Sequence, residues 1–255
     1  MVSALPTDDT VAGYQQWRDL AFLHWRVPPK ELQRLLPQGL VVETFDGSGW
    51  LGIVPFSMEK IHPWWSPAVP GISWFLETNV RTYVRGPGGT TGVWFFSLDA
   101  STRLAVAVAR RFWNLPYEYS VLSRKQSFTI DRTTQTKDRF AQLTYSGRRP
   151  EPPHIGYEIR IDLDTGSTPA LSAPGSLDQF LLERYTLFAA DSAKRLSVGH
   201  VSHEPYKFRQ AVVLEYQQTL TTPLGINIPG DRPADHSVFC EGVDVTVSHL
   251  KCCPA

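Results

Sequence analysis

Residues 74–84, WFLETNVRTYV, carry a polar or functional side chain at every odd-numbered position from Glu77 onward. Successive side chains of a β-strand point to opposite faces of the sheet, and residues two apart on one face are separated by about 7 Å. A strand here therefore presents a carboxylate, an amide, a guanidinium and a phenol in one row, hereafter the polar row: Glu77, Asn79, Arg81 and Tyr83. Because apolar residues flank the segment on both sides, we interpret the row as the wall of a ligand cavity rather than a solvated sheet face.

The composition is that of a globular protein with an unusually large aromatic share. The chain has 255 residues, of which 42% are hydrophobic, 12% aromatic and 20% charged, and this length suffices for a substantial core. No internal repeat, low-complexity segment or linker is found, so we predict one domain spanning residues 1–255. Eight tryptophans in one chain indicate a cavity or a wide core.

The charge balance bears on the kind of partner. The 25 Lys and Arg residues equal the 25 Asp and Glu residues in number, so the formal net charge is zero. Nothing in this balance draws the chain to nucleic-acid phosphates or to an anionic membrane surface. We therefore expect a small neutral or singly charged ligand, with no nucleic acid and no membrane among the partners.

The sequence carries no sign of secretion or membrane insertion. Residues 1–12 lack a basic cluster followed by an apolar core, and no apolar segment is long enough to span a bilayer. The three cysteines, two of them adjacent at Cys252 and Cys253, do not form a disulfide framework. These features favour a cytoplasmic location.

We predict neither a metal site nor a cofactor. Cys252 and Cys253 could bind a soft metal, but no His or Cys stands at ligand spacing beside them, which favours an incidental tail. His200 and His203 are an odd number of residues apart and would point to opposite faces of a strand. No HExxH motif or closely spaced Cys/His cluster occurs.

Hydrophobic periodicity and turn residues predict many strands and few helices. The predicted strands, besides residues 74–84, are 20–27, 40–44, 49–56, 93–98, 127–130, 141–145, 157–161, 196–202, 209–220 and 243–247. The predicted helices are 30–36, 104–113 and 180–188. Ser176 and Gln179 have the spacing of a capping box before the last helix. Residues 63–71 are predicted to form either a cavity lid that carries Trp64 and Trp65 or a surface loop folded onto the core.

Several segments together resemble one known family. They are residues 23–28 (LHWRVP), 35–40 (LLPQGL), 50–56 (WLGIVPF), 77–84 (ETNVRTYV), 96–100 (FSLDA), 109–117 (ARRFWNLPY), 180–188 (FLLERYTLF) and 199–206 (GHVSHEPY). With these segments the chain is similar, over nearly its whole length, to the YqjF-like domains of unknown function. That family resembles, more remotely, the acetoacetate decarboxylase superfamily.

The resemblance implies a fold. It is an α+β fold in which a strongly curved antiparallel β-barrel or cone, with a few helices packed around it, encloses an internal cavity. The resemblance also makes a homo-oligomer an expectation.

The resemblance also relates individual residues to the decarboxylases. There a cavity glutamate precedes a strand, and a Schiff-base lysine, followed at once by a second lysine, lies just after a helix that ends in proline. Glu77 matches the glutamate and Pro116 the proline, but Tyr117 and Glu118 occupy the two lysine positions. Because neither a phenol nor a carboxylate forms an imine, the resemblance implies a related cavity without Schiff-base decarboxylation.

Glu77 and Tyr117 are the predicted catalytic residues. Desolvation in an aromatic-lined cavity would raise the pKa of Glu77 toward an acid/base range, whereas pairing with Arg81 would lower it. Four residues along a strand span about 13 Å, so Glu77 and Arg81 need partners from other strands. Tyr117 could donate a hydrogen bond to a ligand oxygen or act as a general acid, or its ring could simply pack in the core.

The predicted ligand contacts are Asn79, Arg81, Arg110, Glu118 and Trp65. An arginine can bind a carboxylate bidentately and retains its charge. A second interpretation competes for Arg110, because cations are favoured near a helix C-terminus in any case.

Three classes of function remain open at this stage. The first is an enzyme-like barrel, lyase- or hydrolase-like if catalytic, that acts on a keto or carboxylic acid by acid/base chemistry. The alternative is a non-catalytic ligand-binding or sensing module that retains the cavity. In the third, tryptophan side chains fill the cavity and the protein is purely structural. Converging Glu, Arg and Tyr side chains would favour the first class, and a single inward-facing ionisable group the second.

Overall fold

The computed structural model describes residues 5–7, 9–127, 142–163, 168–229 and 232–253. Within these ranges 14 strands pair into one sheet, accompanied by three short α-helices. The strands are β1 (Val11–Val27), β2 (Val41–Val42), β3 (Gly49–Pro63), β4 (Phe75–Arg85), β5 (Thr91–Ala100), β6 (Tyr117–Tyr119), β7 (Val121–Ser127), β8 (Gln142–Arg148), β9 (Gly156–Leu163), β10 (Thr186–Ala190), β11 (Leu196–Ser202), β12 (Phe208–Gln218), β13 (His236–Ser248) and β14 (Lys251–Cys252). The helices are α1 (Pro29–Gln33), α2 (Arg103–Trp113) and α3 (Leu177–Leu182).

The sheet is largely but not wholly antiparallel. Its strand order is β14-β11-β10-β5-β4-β3-β1-β13-β12-β9-β8-β7, with β2 beside β4 and β6 beside β5, and β11 also pairs with β13. β6 and β10 both run parallel to β5, which corrects the expectation of an antiparallel sheet. The β6 pairing has a simple cause, since α2 forms the crossover connection that a parallel neighbour requires.

The strand predicted at residues 74–84 is confirmed as β4, which lies between β3 and β5. Glu77 is opposite Phe56 of β3 and Arg81 is opposite Gly52, in an unbroken register. Because the register with β3 is unbroken, the alternation of side chains holds along the whole polar row.

The two faces of β4 belong to different parts of the core. Val80, on the even-numbered face, packs in a cluster that includes Trp25, Leu51 and Ile53. Tyr83, at one end of the polar row, packs with Trp50 and with residues of α3. The apolar face and the polar row are therefore both covered by other elements.

The helix predicted at residues 180–188 is wrong from Glu183 onward. α3 ends at Leu182, and β10 follows, pairing with β11 and with β5. Strand pairing on both edges outweighs the local helical periodicity of this segment. The cap is partly as predicted: Ser176 Oγ accepts from the Gln179 N–H at 3.2 Å, whereas Gln179 Oε1 accepts from the Gly175 N–H.

Two further findings concern the limits of predicted strands, and a third concerns the length and polarity of the helices. β1 begins at Val11 rather than at residue 20, because residues 11–18 pair with β13 and β3. Of the strand predicted at residues 127–130, only Ser127 lies in the described part of the chain, as the last residue of β7. In the described ranges, every helix is too short or too polar to cross a membrane.

Candidate ligand-binding site

The polar row lies inside the protein rather than on its surface. The relative exposures are 3% for Glu77, 6% for Asn79, 8% for Arg81 and 0% for Tyr83. Buried polar and charged groups need hydrogen-bond or ionic partners, because leaving water is otherwise costly. The partners that these four side chains find, and those that they lack, define the candidate site.

Glu77 forms a buried pair with Tyr117. β6 places Tyr117 opposite Leu98 of β5, and the Tyr117 hydroxyl donates to Glu77 Oε2 at 2.8 Å. Burial raises the pKa of Glu77 to about 8; the Tyr117 hydrogen bond opposes this rise, and the charge of Asp99 adds to it. Glu77 therefore gains or loses its proton near neutral pH, as a general acid or base must.

Tyr117 is a hydrogen-bond donor in this pair. Its ring is buried, and burial together with the neighbouring Glu77 raises the pKa of its hydroxyl well above the ordinary value. The phenol consequently keeps its proton. The sequence left open whether burial raises the pKa of Glu77 or pairing with Arg81 lowers it. The structure supports the first interpretation, because burial is the largest influence on this pKa and Arg81 is not among the groups that shift it.

The protonation of Glu77 gives a prediction for the pH dependence of stability. A carboxyl group with an ordinary pKa of 4.5 and a folded-state pKa of about 8 binds more protons in the folded than in the unfolded chain between these values. Raising the pH through this window therefore lowers the free energy of unfolding, by at most ~1.4 kcal/mol per pH unit. We expect Glu77→Gln to remove this slope and to be the more stable protein at about pH 9. Urea denaturation across the window measures the effect, and equal slopes in the two proteins would contradict a proton on Glu77.

Arg81 is an enclosed cation that has no carboxylate partner among the described residues. Its Nη2 donates to the Leu181 carbonyl at 3.2 Å and to the Tyr83 hydroxyl at 3.4 Å. None of the ion pairs among the described residues includes Arg81, and its Nε has no hydrogen-bond partner there. By contrast, the enclosed Arg149 is paired with Asp99. An unpaired guanidinium in the interior favours binding of an anion.

Five more buried side-chain atoms in the described part of the chain lack hydrogen-bond partners, and two of them, Asn79 Oδ1 and His203 Nε2, concern this site. The His203 ring lies 4.6 Å from the Tyr206 ring, and that ring packs 5.2 Å from Phe22. Phe22 in turn lies 5.4 Å from the guanidinium carbon of Arg81. Burial lowers the pKa of His203, and the charge of Arg81 lowers it further. Unsatisfied buried polar atoms are rare in native proteins, so this group is equipped to hold a ligand or water.

Sequence reasoning did not assign His24 or His203 to the site. His24 is fully buried, and its Nε2 lies 2.7 Å from the Tyr83 hydroxyl. The sequence feature that could have indicated a buried His24 is its position two residues after Phe22, on the same face of β1. His203 follows β11 in a segment without a periodic pattern, and no local signal could have placed it inside.

The structure places three of the predicted ligand contacts away from the polar row. Arg110 and Glu118 form an ion pair with each other at 2.9 Å, and their side chains are about half exposed. Arg110 Nε also donates to the Tyr117 carbonyl at 2.6 Å, so it holds the backbone of β6. Trp65 is 71% exposed, and its loop is therefore on the surface rather than against Glu77.

The lysines of the described part of the chain are all exposed: Lys30, Lys60, Lys125, Lys194, Lys207 and Lys251. A lysine that forms an imine with a carbonyl compound is usually activated by burial or by a neighbouring cation. Within those ranges, the interior therefore offers no amine to a ligand in the polar row.

An open cleft of about 390 Å³ lies beside the Tyr83 end of the polar row. Phe180 and Arg184 line it, and Phe180 packs against the Tyr83 ring with centroids 5.3 Å apart. The guanidinium carbon of Arg184 lies 5.3 Å from the Tyr83 ring centroid, and Arg184 is paired with Glu43 at 2.6 Å. Phe180 and Arg184 thus separate the cleft from Tyr83.

Comparison with known proteins relates the chain to one family and one fold. Residues 14–244 match the family model DUF2071, which is described as an uncharacterized conserved protein. The chain is 33% identical over 223 residues to the uncharacterized protein YqjF of Bacillus subtilis (strain 168), a match that covers 87% of this chain and 85% of that protein.

Two solved structures show the similarity of fold. An acetoacetate decarboxylase-like enzyme from Sphingomonas wittichii RW1 has a TM-score of 0.64 and 12% identity, over 96% of this chain and 94% of that one. The enduracididine biosynthesis enzyme MppR complexed with pyruvate has a TM-score of 0.60 and 12% identity, over 95% of this chain and 91% of that one. At such identities the likeness establishes the fold alone.

Proposed function

Because the chain belongs to the YqjF-like family DUF2071 and has a fold similar to that of acetoacetate decarboxylase-like enzymes, we propose that its polar row binds a small keto or carboxylic acid. The observation that carries the proposal is the enclosed guanidinium of Arg81, which has no ion pair within the part of the chain that the structure describes. A ligand carboxylate would supply the ionic partner that this group lacks. Asn79 Oδ1 and His203 Nε2 would accept hydrogen bonds from water bound with the ligand, or from a hydroxyl group where the acid carries one.

The proposal includes an enclosed site in a single domain, residues 1–255. The path of pairings from β11 through β10, β5, β4, β3 and β1 to β13 returns to β11. This return supports a sheet that curves into a barrel or cone around the polar row. One structural neighbour, MppR, was solved in complex with pyruvate, and this supports the choice of a small keto acid as the first ligand to test.

The proposed chemistry is proton transfer without a covalent lysine. Glu77, hydrogen-bonded to Tyr117 at 2.8 Å, would donate or accept a proton at a carbon or oxygen of the bound acid. Glu77, Arg81 and Tyr117 are all inward-facing, which favours an enzyme-like site over a module with a single ionisable group. Arg110, Glu118 and Trp65 are left out of this site because their side chains lie at the surface.

Matched pairs of acids and amides test the proposal. We expect pyruvate and propionate to raise the melting temperature, whereas pyruvamide and propionamide, which lack the charge, do not. Equal effects of acid and amide would contradict a carboxylate site at Arg81. Saturable binding of an acid without turnover would assign the chain to the alternative class, a non-catalytic ligand-binding or sensing module.

Borohydride reduction tests the absence of imine chemistry. Treatment with pyruvate and sodium borohydride is expected to leave the mass of the chain unchanged, because the described lysines are all exposed and carry no feature that would activate them. Intact-mass measurement followed by peptide mapping detects any adduct. A stoichiometric adduct on one lysine would contradict the proposed chemistry. The absence of an adduct is expected whether or not the chain binds the acid, so this test is independent of the binding test.

We also propose a cytoplasmic location and a homo-oligomer. The free thiols of Cys240, Cys252 and Cys253 agree with a reducing compartment. The loop before β4 exposes Trp64 and Trp65, an apolar surface of the kind found in subunit contacts. Light scattering on the purified chain measures the oligomeric state, and a monomer would contradict this part of the proposal.

A further inference from the structure

Four side chains form a chain of hydrogen bonds from the polar row to the protein surface. The Tyr83 hydroxyl lies 2.7 Å from His24 Nε2, and His24 Nδ1 lies 2.9 Å from His236 Nδ1. His236 Nε2 lies 2.8 Å from Asp178 Oδ1. Tyr83 and His24 are fully buried, whereas the side chain of Asp178 is 30% exposed.

The backbone holds the two histidines together. His24 of β1 and His236 of β13 are register partners, and α3 brings Asp178 to the outer end of the chain of hydrogen bonds. Gly52 of β3 leaves room for the His24 ring, because a Cβ at that position would lie 3.0 Å from His24 Cδ2 and 3.2 Å from its Nε2. The arrangement is therefore built into the sheet and does not depend on flexible side chains alone.

The direction of every hydrogen bond follows from the carboxylate. Asp178 can only accept, so His236 donates through Nε2 and accepts at Nδ1. His24 must then donate through Nδ1 and accept at Nε2. The Tyr83 hydroxyl therefore gives its one proton to His24 Nε2 at 2.7 Å, in preference to the other acceptor within reach, the Leu181 carbonyl at 3.0 Å. This assignment requires two neutral imidazoles, and burial lowers the pKa of both histidines.

We propose that Tyr83, His24, His236 and Asp178 form a proton relay that carries a proton between a ligand in the polar row and the surface. In one transfer the Tyr83 proton moves to His24 Nε2, the His24 Nδ1 proton moves to His236 Nδ1, and the His236 Nε2 proton moves to Asp178. Each histidine exchanges one N–H for the other and stays neutral, while Tyr83 becomes a phenolate and Asp178 a carboxylic acid. The phenolate then takes a proton from the ligand, and Asp178 releases its proton to water. When a proton later moves back along the same path, from Asp178 to the ligand, both histidines regain their starting tautomers.

The surroundings of Tyr83 suit a transient phenolate. Burial raises the pKa of its hydroxyl, so the phenol is the resting form, but the charges of Arg81 and Arg184 act in the opposite direction. Tyr83 is also well placed for a ligand held by Arg81, because its hydroxyl lies 3.4 Å from Arg81 Nη2. The relay depends on the proposed function in one respect only, which is that the ligand binds at the polar row.

Nitrogen-15 NMR of the full chain without ligand tests the relay. We expect His24 to carry its proton on Nδ1 and His236 on Nε2, and the opposite tautomer of His24 would overturn the proposal. This measurement uses the unaltered protein, so its outcome is independent both of ligand binding and of the folding of any variant.

Exchange of the buried His24 ring proton with solvent distinguishes a relay from a structural network. Asp178→Asn keeps an acceptor oxygen for His236 but cannot take up a proton, so we expect exchange to slow roughly tenfold or more. If the network were only structural, exchange would need local opening, and the variant would exchange at the same rate or faster. Asp9→Asn makes the same change at the separate pair formed by Asp9 and His200, and it should leave His24 exchange unchanged.

Discussion

Replacing Arg81 by methionine is expected to stabilise the protein and to weaken acid binding at the same time. The substitution removes an enclosed charge that has no ion pair among the described residues and whose Nε has no hydrogen-bond partner there. Exchanging buried ionic groups for apolar ones of similar volume is often neutral or stabilising by ~1–4 kcal/mol. Loss of a charge-assisted contact to a carboxylate should weaken pyruvate binding roughly ten- to hundredfold. Urea denaturation and calorimetric titration measure the two effects.

The opposite pattern would give Arg81 a purely structural role. Its Nη2 contacts with the Leu181 carbonyl and the Tyr83 hydroxyl connect β4 to α3. If these contacts were its purpose, Arg81→Met would lower the free energy of unfolding and leave pyruvate affinity unchanged. A fall in affinity together with a rise in stability is expected only of a site that keeps an unpaired charge for its ligand.

The same substitution at Arg149 is expected to be strongly destabilising. Arg149 donates from Nε and Nη2 to the two carboxylate oxygens of Asp99, at 2.9 and 2.6 Å, and Asp99 is 1% exposed. Arg149→Met leaves that carboxylate with the Ser120 hydroxyl as its remaining described partner. Removing one member of a buried ion pair typically costs ~3–5 kcal/mol, because the other charge stays buried and uncompensated.

Arg149→Met is the matched control for Arg81→Met. Both substitutions replace an enclosed guanidinium with the same apolar side chain, but only Arg149 has an ionic partner among the described residues. Adding Asp99→Asn to Arg149→Met should recover part of the loss, since it removes the stranded charge. Equal effects of the two single substitutions on urea denaturation would contradict the distinction between a paired and an unpaired interior arginine.

The interior part of the candidate site could be predicted from the sequence because it lies on one regular strand. The alternation of residues 77–83 survives in β4 since its register with β3 is unbroken. Strand alternation alone did not relate Glu77 to Tyr117. Only the family resemblance placed the two side chains opposite each other, and they are in contact. The alternation of side chains along a strand predicts which residues share a face. Which other strand they contact can be predicted only from a family resemblance.

Other features depend on contacts that no local pattern records. His24 and His236 meet across β1 and β13, 212 residues apart in the chain. Arg110 and Glu118 turn to each other at the surface, which neither helix position nor family match indicated. Residues 186–190 form a strand because β11 and β5 supply its partners, although their apolar spacing suits a helix.

The most direct test of the account is the Arg81 Nε–H signal in a nitrogen-15 NMR titration with pyruvate. The signal is identified by its absence in Arg81→Met, and pyruvamide provides the uncharged control. The account predicts that the signal shifts progressively and saturably with pyruvate, as a new hydrogen bond to the carboxylate forms, and does not move with pyruvamide. Saturable binding of pyruvate with an unmoved Arg81 signal would contradict it.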